Sequence, residues 1–249
     1  FIALPGWSAA VAAFERNAFG RLWADPAMRQ FREKFQARFK ADVLDPVEKE
    51  LGLVLTNYTG LFQGQITIAF TPGPAEGQGG GKADFLFIAD AGTNSPQLAT
   101  HLAALRKKWT DSNQQVRPVK IRDVEFTTLN FTPTEVSRLL DKILPGPAAA
   151  QLDSGLKKVE WTFGQSDSLL VISDSPKDIE RLLLLQAGGG LPTLAEQAAY
   201  AGDAAQFRGS HVFSWVNLKA ILDRMTQARP EAGGSGTGTA NDSISLARF

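Results

Sequence analysis

Few residues in this sequence could carry chemistry, and the most conspicuous are three glycines and a lysine at residues 79–82. A phosphate-binding loop would also need a glycine five residues before the third of these glycines and Ser or Thr after the lysine. Glu76 and Ala83 occupy those two positions. The stretch is therefore predicted to be a loop between two strands and not a phosphate site.

Metal binding or histidine catalysis would depend on only two histidines. His101 lies near the apolar side of a predicted helix, and His211 begins a predicted strand without Glu or His at a ligand spacing. The sequence has no cysteine, which excludes disulfides, thiolate metal sites and cysteine nucleophiles. We expect neither a metal nor a cofactor.

Paired carboxylates are a further possibility. Asp84 and Asp90 end one predicted strand, which places them about 20 Å apart, whereas glycosidase pairs are roughly 5–9.5 Å apart. Asp90 and Asp174 would meet only if their two strands are neighbours. No serine lies in a Gly-x-Ser-x-Gly setting, although a serine assembled with Lys or His from distant segments stays open. We expect no catalytic residues.

The remaining candidate surface is a basic amphipathic helix predicted over residues 26–40. Its apolar stripe consists of Met28, Phe31, Phe35 and Phe39, and Glu33 is its only acid. Such a helix usually packs its phenylalanines into the core, but basic amphipathic helices also lie on anionic membranes or bind acidic partners. The basic residues of this candidate surface are Arg29, Arg32, Lys34, Arg38 and Lys40.

The composition is that of an ordinary globular protein. The 249 residues include 26 basic and 26 acidic ones, and 43% are apolar. A nucleic-acid-binding protein usually carries an excess of positive charge, so we expect no nucleic-acid partner. No run of eighteen apolar residues is present, so no transmembrane segment is predicted in this chain.

Helices are predicted mainly where a capping residue precedes a proline, because the cap accepts a backbone hydrogen bond and proline suits the first turn. Asn217 is predicted to cap a last helix that ends before Pro230. The five capped prolines follow Asp25, Asp45, Ser95, Thr132 and Ser175.

Strands are predicted mostly as hairpins, with a tight turn at Arg122-Asp123 and another over residues 164–167. The predicted strands cover residues 65–71, 84–89, 119–121, 124–131, 159–163, 168–173 and 211–216.

Two stretches resemble copies of one unit, since residues 84–90 and 167–173 are each the second strand of a hairpin followed by a proline-capped helix. The fold class predicted is α+β, an antiparallel sheet with helices packed mainly on one face, built from a duplicated ββα unit. Chance similarity between short apolar strands is the alternative.

The domain organisation follows from composition. Residues 1–228 are predicted to form one α+β domain, and duplication would make its halves, about 1–131 and 132–228, similar. Residues 229–243 are predicted to be a Gly/Ser/Thr-rich linker, and residues 244–249 the start of a following element. Because Phe1 lies in a predicted strand, we expect a targeting segment or an earlier part of the protein before it.

Several landmarks resemble a family of large uncharacterised exported bacterial proteins. Residues 1–7 and 20–26 are similar to its opening strand and its G-x-L-W-x-D-P turn. Residues 51–53 with 61–65 are similar to a short helix before a strand. Residues 168–176 and 212–218 are similar to its later strand-to-helix joints.

The resemblance implies a domain of unknown function in the bacterial cell envelope, periplasmic or extracytoplasmic. We therefore expect a non-catalytic structural or binding module of a larger exported protein, with a protein or an envelope component as its partner. The alternatives are a hydrolase whose site is assembled from separated polar residues, and membrane-surface or polyanion binding through the helix 26–40.

Overall fold

A computed structural model describes residues 1–51, 54, 58, 60–72, 83–112, 114–132, 159–207, 210 and 212–227. The chain divides into two compact units, Phe1–Gly73 with Lys82–Val216, and Pro74–Gly81 with Asn217–Phe249. In the second unit the described residues form one helix, whose first turn is capped by the Asn217 side chain as predicted. The glycine-lysine stretch 79–82, His211, the linker 229–243 and the element 244–249 lie outside the described residues.

The first unit contains an antiparallel sheet of eight strands in the order β4-β5-β6-β7-β3-β2-β1-β8. This confirms the predicted α+β class and antiparallel sheet. The strands are β1 (Ile2–Leu4), β2 (Ile66–Pro72), β3 (Ala83–Asp90), β4 (Val116–Ile121), β5 (Val124–Phe131), β6 (Val159–Ser166), β7 (Leu169–Ser173) and β8 (Phe213–Ser214).

The predicted helix starts are only partly those observed. Asp25 accepts a hydrogen bond from the Ala27 amide and caps a short 3-10 turn, and Ser175 precedes the helix that begins at Pro176. Asp45 does not cap a new helix, because a π-helical segment runs directly into it. The helices are α1 (Trp7–Arg16), α2 (Ala18–Ala24), α3 (Arg29–Phe39), α4 (Asp45–Leu51), α5 (Ser95–Asp111), α6 (Pro176–Gln186), α7 (Ala198–Gln206) and α8 (Leu218–Gln227).

The strand boundaries also differ in places from those predicted. The tight turn at Arg122-Asp123 is confirmed, with Arg122 at a φ of 54°. β6 continues to Ser166, so its turn with β7 is shorter than predicted. Of the described residues in the strand predicted over 211–216, Phe213–Ser214 form β8 and the others are not in a strand. The helix predicted to start at Thr132-Pro133 lies outside the described residues from Pro133 onward.

The two helices that pack on the middle of the sheet lie on opposite faces. Successive side chains of a strand point to opposite faces, and those of β7 alternate between two apolar clusters. Leu170 and Ile172 contact the cluster that contains Leu98 and Leu102 of α5. Val171 belongs to the cluster of α6. The predicted placement of helices mainly on one face is therefore wrong for this pair.

The opposite placement bears on the predicted duplication. β3 and β7 are adjacent and antiparallel, and their hairpin partners β2 and β6 lie on the outer sides. A twofold rotation normal to the sheet would superimpose the two hairpins, but it would keep both helices on one face. Because α5 and α6 lie on opposite faces, the two ββα units have opposite hands, and the duplicated unit is not confirmed.

A substitution at Gly164 tests how closely the side chains beneath α6 are packed. A Cβ at this position would lie 2.5 Å from the ring of Phe126, which is fully buried. We expect Gly164→Ala to lower the free energy of unfolding by about 1–3 kcal/mol through overpacking, measured by chemical denaturation. Gly190→Ala is the control, since a Cβ there meets no atom within 4 Å. Equal stability of the two variants would contradict the close contact.

Candidate functional site

The basic helix predicted over 26–40 belongs to a helical arm, defined here as residues 7–51, which contains α1 to α4. α1 and α2 meet closely at Gly20, where a Cβ would lie 1.8 Å from the carbonyl oxygen of Phe14. Asn17 caps α2 by accepting a 2.7 Å hydrogen bond from the Gly20 amide. The corner at Asp25 then turns the chain into α3.

Four aromatic side chains of the arm form a continuous row, called the aromatic row below. The Trp23 ring stands perpendicular to those of Phe31 and Phe35, with centroids 6.1 and 5.5 Å away. Phe35 stacks on both its neighbours, at 6.1 Å from Phe31 and 6.1 Å from Phe39. The rings are therefore in contact with one another and form a continuous apolar ridge along α3.

The aromatic row is half exposed. Phe31, Phe35 and Phe39 have 55%, 48% and 45% of their surface in solvent, and α3, all of whose residues are described, contains no buried residue. The interpretation that this stripe packs into the core is therefore wrong. The apolar surface continues on α2, where Phe19 and Leu22 are also exposed.

Cations lie on both sides of the row. At about 100° per residue, Arg32 and Arg38 are each about 60° from the centre of the three phenylalanines, on opposite sides. On the same count Lys34 lies about 100° away and Glu33 about 160° away. The one acid of α3 is thus on the far side of the helix, and the flanks of the row are positive.

The structure also shows acidic partners that the pattern over 26–40 did not include. Arg38 pairs with Asp42 at 2.9 Å, and Lys40 donates to Asp45. The bond to Asp45 raises the pKa of the Lys40 ammonium, which therefore stays charged. These are exposed pairs of small energetic value.

The other predicted basic residues have different surroundings. Arg29 pairs with Glu33 at 2.8 Å. Arg32 donates to the carbonyl oxygen of Trp23 and so joins α3 to α2. Lys34 has no ion pair with a described residue. All five residues are on one helix or at its end, and Arg32, Lys34 and Arg38 are those nearest the row.

Trp23 was not identified as a site residue from the sequence. It precedes the corner at Asp25-Pro26, and a chain reversal there brings it against Phe31 and Phe35. The capped proline was the available signal, because a turn between two amphipathic helices places their apolar sides together.

The carboxylates at the strand ends do not come together. β3 and β7 are neighbours but antiparallel, so Asp90 lies opposite Leu169 while Asp174 accepts a 2.7 Å hydrogen bond from the Phe85 amide. The two aspartates are thus at opposite ends of the strand pair. Asp90 accepts hydrogen bonds from the Ser168 hydroxyl, in the turn between β6 and β7, and from the Gly92 amide, in the loop after β3.

The His101 side chain lies beside an aromatic ring. Its ring lies 5.0 Å from that of Tyr58, and burial raises the pKa of the Tyr58 phenol above its usual value.

Among the described residues, no group of three or more acidic or histidine side chains is placed to hold a metal ion. No helix formed by these residues is long and apolar enough to cross a bilayer.

A cleft of about 440 Å³ lies beside β4 and β5 and is lined by Gln115, Val116, Arg117 and Asn130. The Oδ1 atom of Asn130 is buried and accepts no hydrogen bond from a described residue, and Arg117 pairs with Glu160 at 3.5 Å. The cleft could accept one hydrogen-bond donor from a small polar molecule. The aromatic row instead presents three apolar side chains that are about half exposed.

Comparisons of the chain with models of protein families, with curated proteins and with solved structures find no match.

Gly20 controls the geometry of the arm. We expect Gly20→Ala to force α1 and α2 apart, because the Cβ would overlap a backbone carbonyl, and to lower stability by about 1–3 kcal/mol. Hydrogen exchange of residues 7–24 measures the loss. Gly202→Ala in α7 is the matched control, since its Cβ meets no atom within 4 Å and alanine favours a helix by about 1 kcal/mol. Unchanged protection in Gly20→Ala would contradict the close approach.

Tyr58 has a measurable titration. The folded protein holds its phenolic proton more tightly than the unfolded chain, whose tyrosines ionise near pH 10. The corresponding stability is present below about pH 10 and declines as the pH rises through the folded-state pKa. Ultraviolet titration should show a late-ionising component that Tyr58→Phe removes. Persistence of that component in Tyr58→Phe would show that Tyr58 is not the shielded tyrosine.

Proposed function

We propose that this chain is a non-catalytic binding module of a larger exported bacterial envelope protein, and that the aromatic row is its binding surface. The half-exposed rings of Phe31, Phe35 and Phe39 are the observation that supports it. The envelope location is supported by the resemblance of the sequence landmarks at residues 1–7, 20–26 and 168–176.

The size of the exposed aromatic surface supports a binding role. A phenylalanine side chain has about 200 Å² of surface, so three half-exposed rings leave roughly 300 Å² in water. Covering that area is worth roughly 7 kcal/mol before the costs of association. Contiguous apolar patches of a few hundred Å² on folded proteins are often functional, and aromatic residues and arginine are enriched in binding surfaces.

The carboxylates that a hydrolase would use have other partners. Asp90 and Asp174 are at opposite ends of their strands, and both accept backbone or hydroxyl hydrogen bonds. Asp178, at the start of α6, accepts from the Thr71 hydroxyl and lies 3.9 Å from Arg181. Each of these acids stabilises a local structure, and this favours the binding proposal over the hydrolase alternative.

Binding of anilinonaphthalene sulfonate, an apolar anion, tests the proposed surface. We expect the native protein to enhance dye fluorescence, and Phe35→Ser with Phe39→Ser to lower the dye affinity by roughly tenfold or more through loss of apolar contact. The control is Phe70→Ser, because Phe70 on β2 is 64% exposed but lies outside the arm. An equal effect of both variants, or no dye binding by the native protein, would refute the proposal.

A further inference from the structure

We infer that the aromatic row binds the surface of an anionic phospholipid membrane, with α3 lying in the membrane plane, its rings among the lipids and its cations at the headgroups. This inference rests on the proposed function, because it names the partner of the same surface. It places the arm on the membrane and not across it.

The order of side chains around α3 fits a membrane interface. An interfacial helix carries a large apolar side with basic residues beside it, and its apolar side enters the headgroup region by about 5–10 Å. Arg32 and Arg38 lie on opposite sides of the row, and their long aliphatic stems allow the charge to remain at the headgroups while the stem follows the rings. Glu33, with its partner Arg29, is directed away from that surface.

The types of aromatic side chain in the row also fit a membrane interface. Tryptophan is enriched at membrane–water interfaces, where one edge of the indole is apolar and the other polar. Trp23 is half buried at the side of the row, between α2 and α3. Phe19 lies one helical turn before it on α2 and is 63% exposed, which extends the apolar surface beyond α3.

A lipid surface matches these features better than a protein groove. A helix that binds in a groove also presents apolar anchors at i and i+4, which is the spacing of Phe35 and Phe39, so the stacking of these rings at 6° fits either partner and the charges distinguish the two. Arg32 and Arg38 place one cation on each side of the row, and Arg38 is also paired with Asp42, so a protein partner would need acids along both edges of its groove. An anionic bilayer supplies negative charge on every side of an inserted helix.

Vesicle flotation with the full chain tests the inference, using phosphatidylglycerol–phosphatidylcholine vesicles and vesicles of phosphatidylcholine alone. We expect binding to the anionic vesicles and much weaker binding to the neutral ones. Replacing two cations, Lys34→Gln with Arg38→Gln, should weaken binding about thirtyfold. Arg32 is left unchanged because it holds Trp23.

The matched control is Lys107→Gln with Lys108→Gln, which removes two exposed cations of α5 outside the arm. It should bind as the native protein does. Phe35→Ser with Phe39→Ser should weaken binding by roughly tenfold or more. Circular dichroism confirms that each variant is folded, and brominated acyl chains should quench a fluorescence component that Trp23→Phe removes.

The outcomes separate the possible partners. No flotation with anionic vesicles, while the dye still binds through Phe35 and Phe39, would overturn the membrane inference and leave the binding surface intact; failure of both would overturn both. Sensitivity to the cations but not to the two phenylalanines would indicate a polyanion instead. Concentration-dependent dimers abolished by Phe35→Ser with Phe39→Ser, without vesicle binding, would assign the row to a second copy of this chain.

Discussion

The antiparallel pairing of β3 with β7 is the interaction on which the rest of the first unit depends. It joins two sequence-local hairpins into one sheet over the register Leu86–Ser173 to Asp90–Leu169. Polar contacts close both ends of this pairing, since Asp174 accepts from the Phe85 amide and Asp90 accepts from the Ser168 hydroxyl. The carboxylates that a search for paired acids finds in the sequence are thus the groups that fix this register.

This pairing places β3 and β7 in the middle of the sheet, where α5 covers one face and α6 the other. The sequence contains the corresponding signal, because residues 169–172 are apolar without alternation, which is typical of a strand buried on both faces. The helices at Ser95-Pro96 and Ser175-Pro176 were predicted correctly. The sequence did not predict that the two helices lie on opposite faces of the sheet. An apolar stripe shows which side of a helix is buried, but it does not show which face of the sheet the helix packs on.

The same limit applies to the candidate site. The spacing of Phe31, Phe35 and Phe39 and the cations between them were evident from the sequence, and the structure retains both. Their exposure was not evident, because periodicity does not show whether another element lies opposite an apolar stripe. The pairing of Arg38 with Asp42 depends on residues beyond the predicted end of the helix, and Trp23 reaches the row only because the chain turns at Asp25.

The exposure of the row has a consequence for the stability of the arm itself. α3 has 11 residues, a length at which an isolated helix in water is marginal. Its Arg29–Glu33 pair adds only about 0.2–0.5 kcal/mol, so the ring contacts of Trp23, Phe31 and Phe35, at about 0.5–1.5 kcal/mol each, are the larger contribution. A surface that covers these rings would bind the helical form in preference to the unfolded one. Occupation of the row and order in α3 are therefore coupled, and whatever binds there also stabilises the helix that presents it.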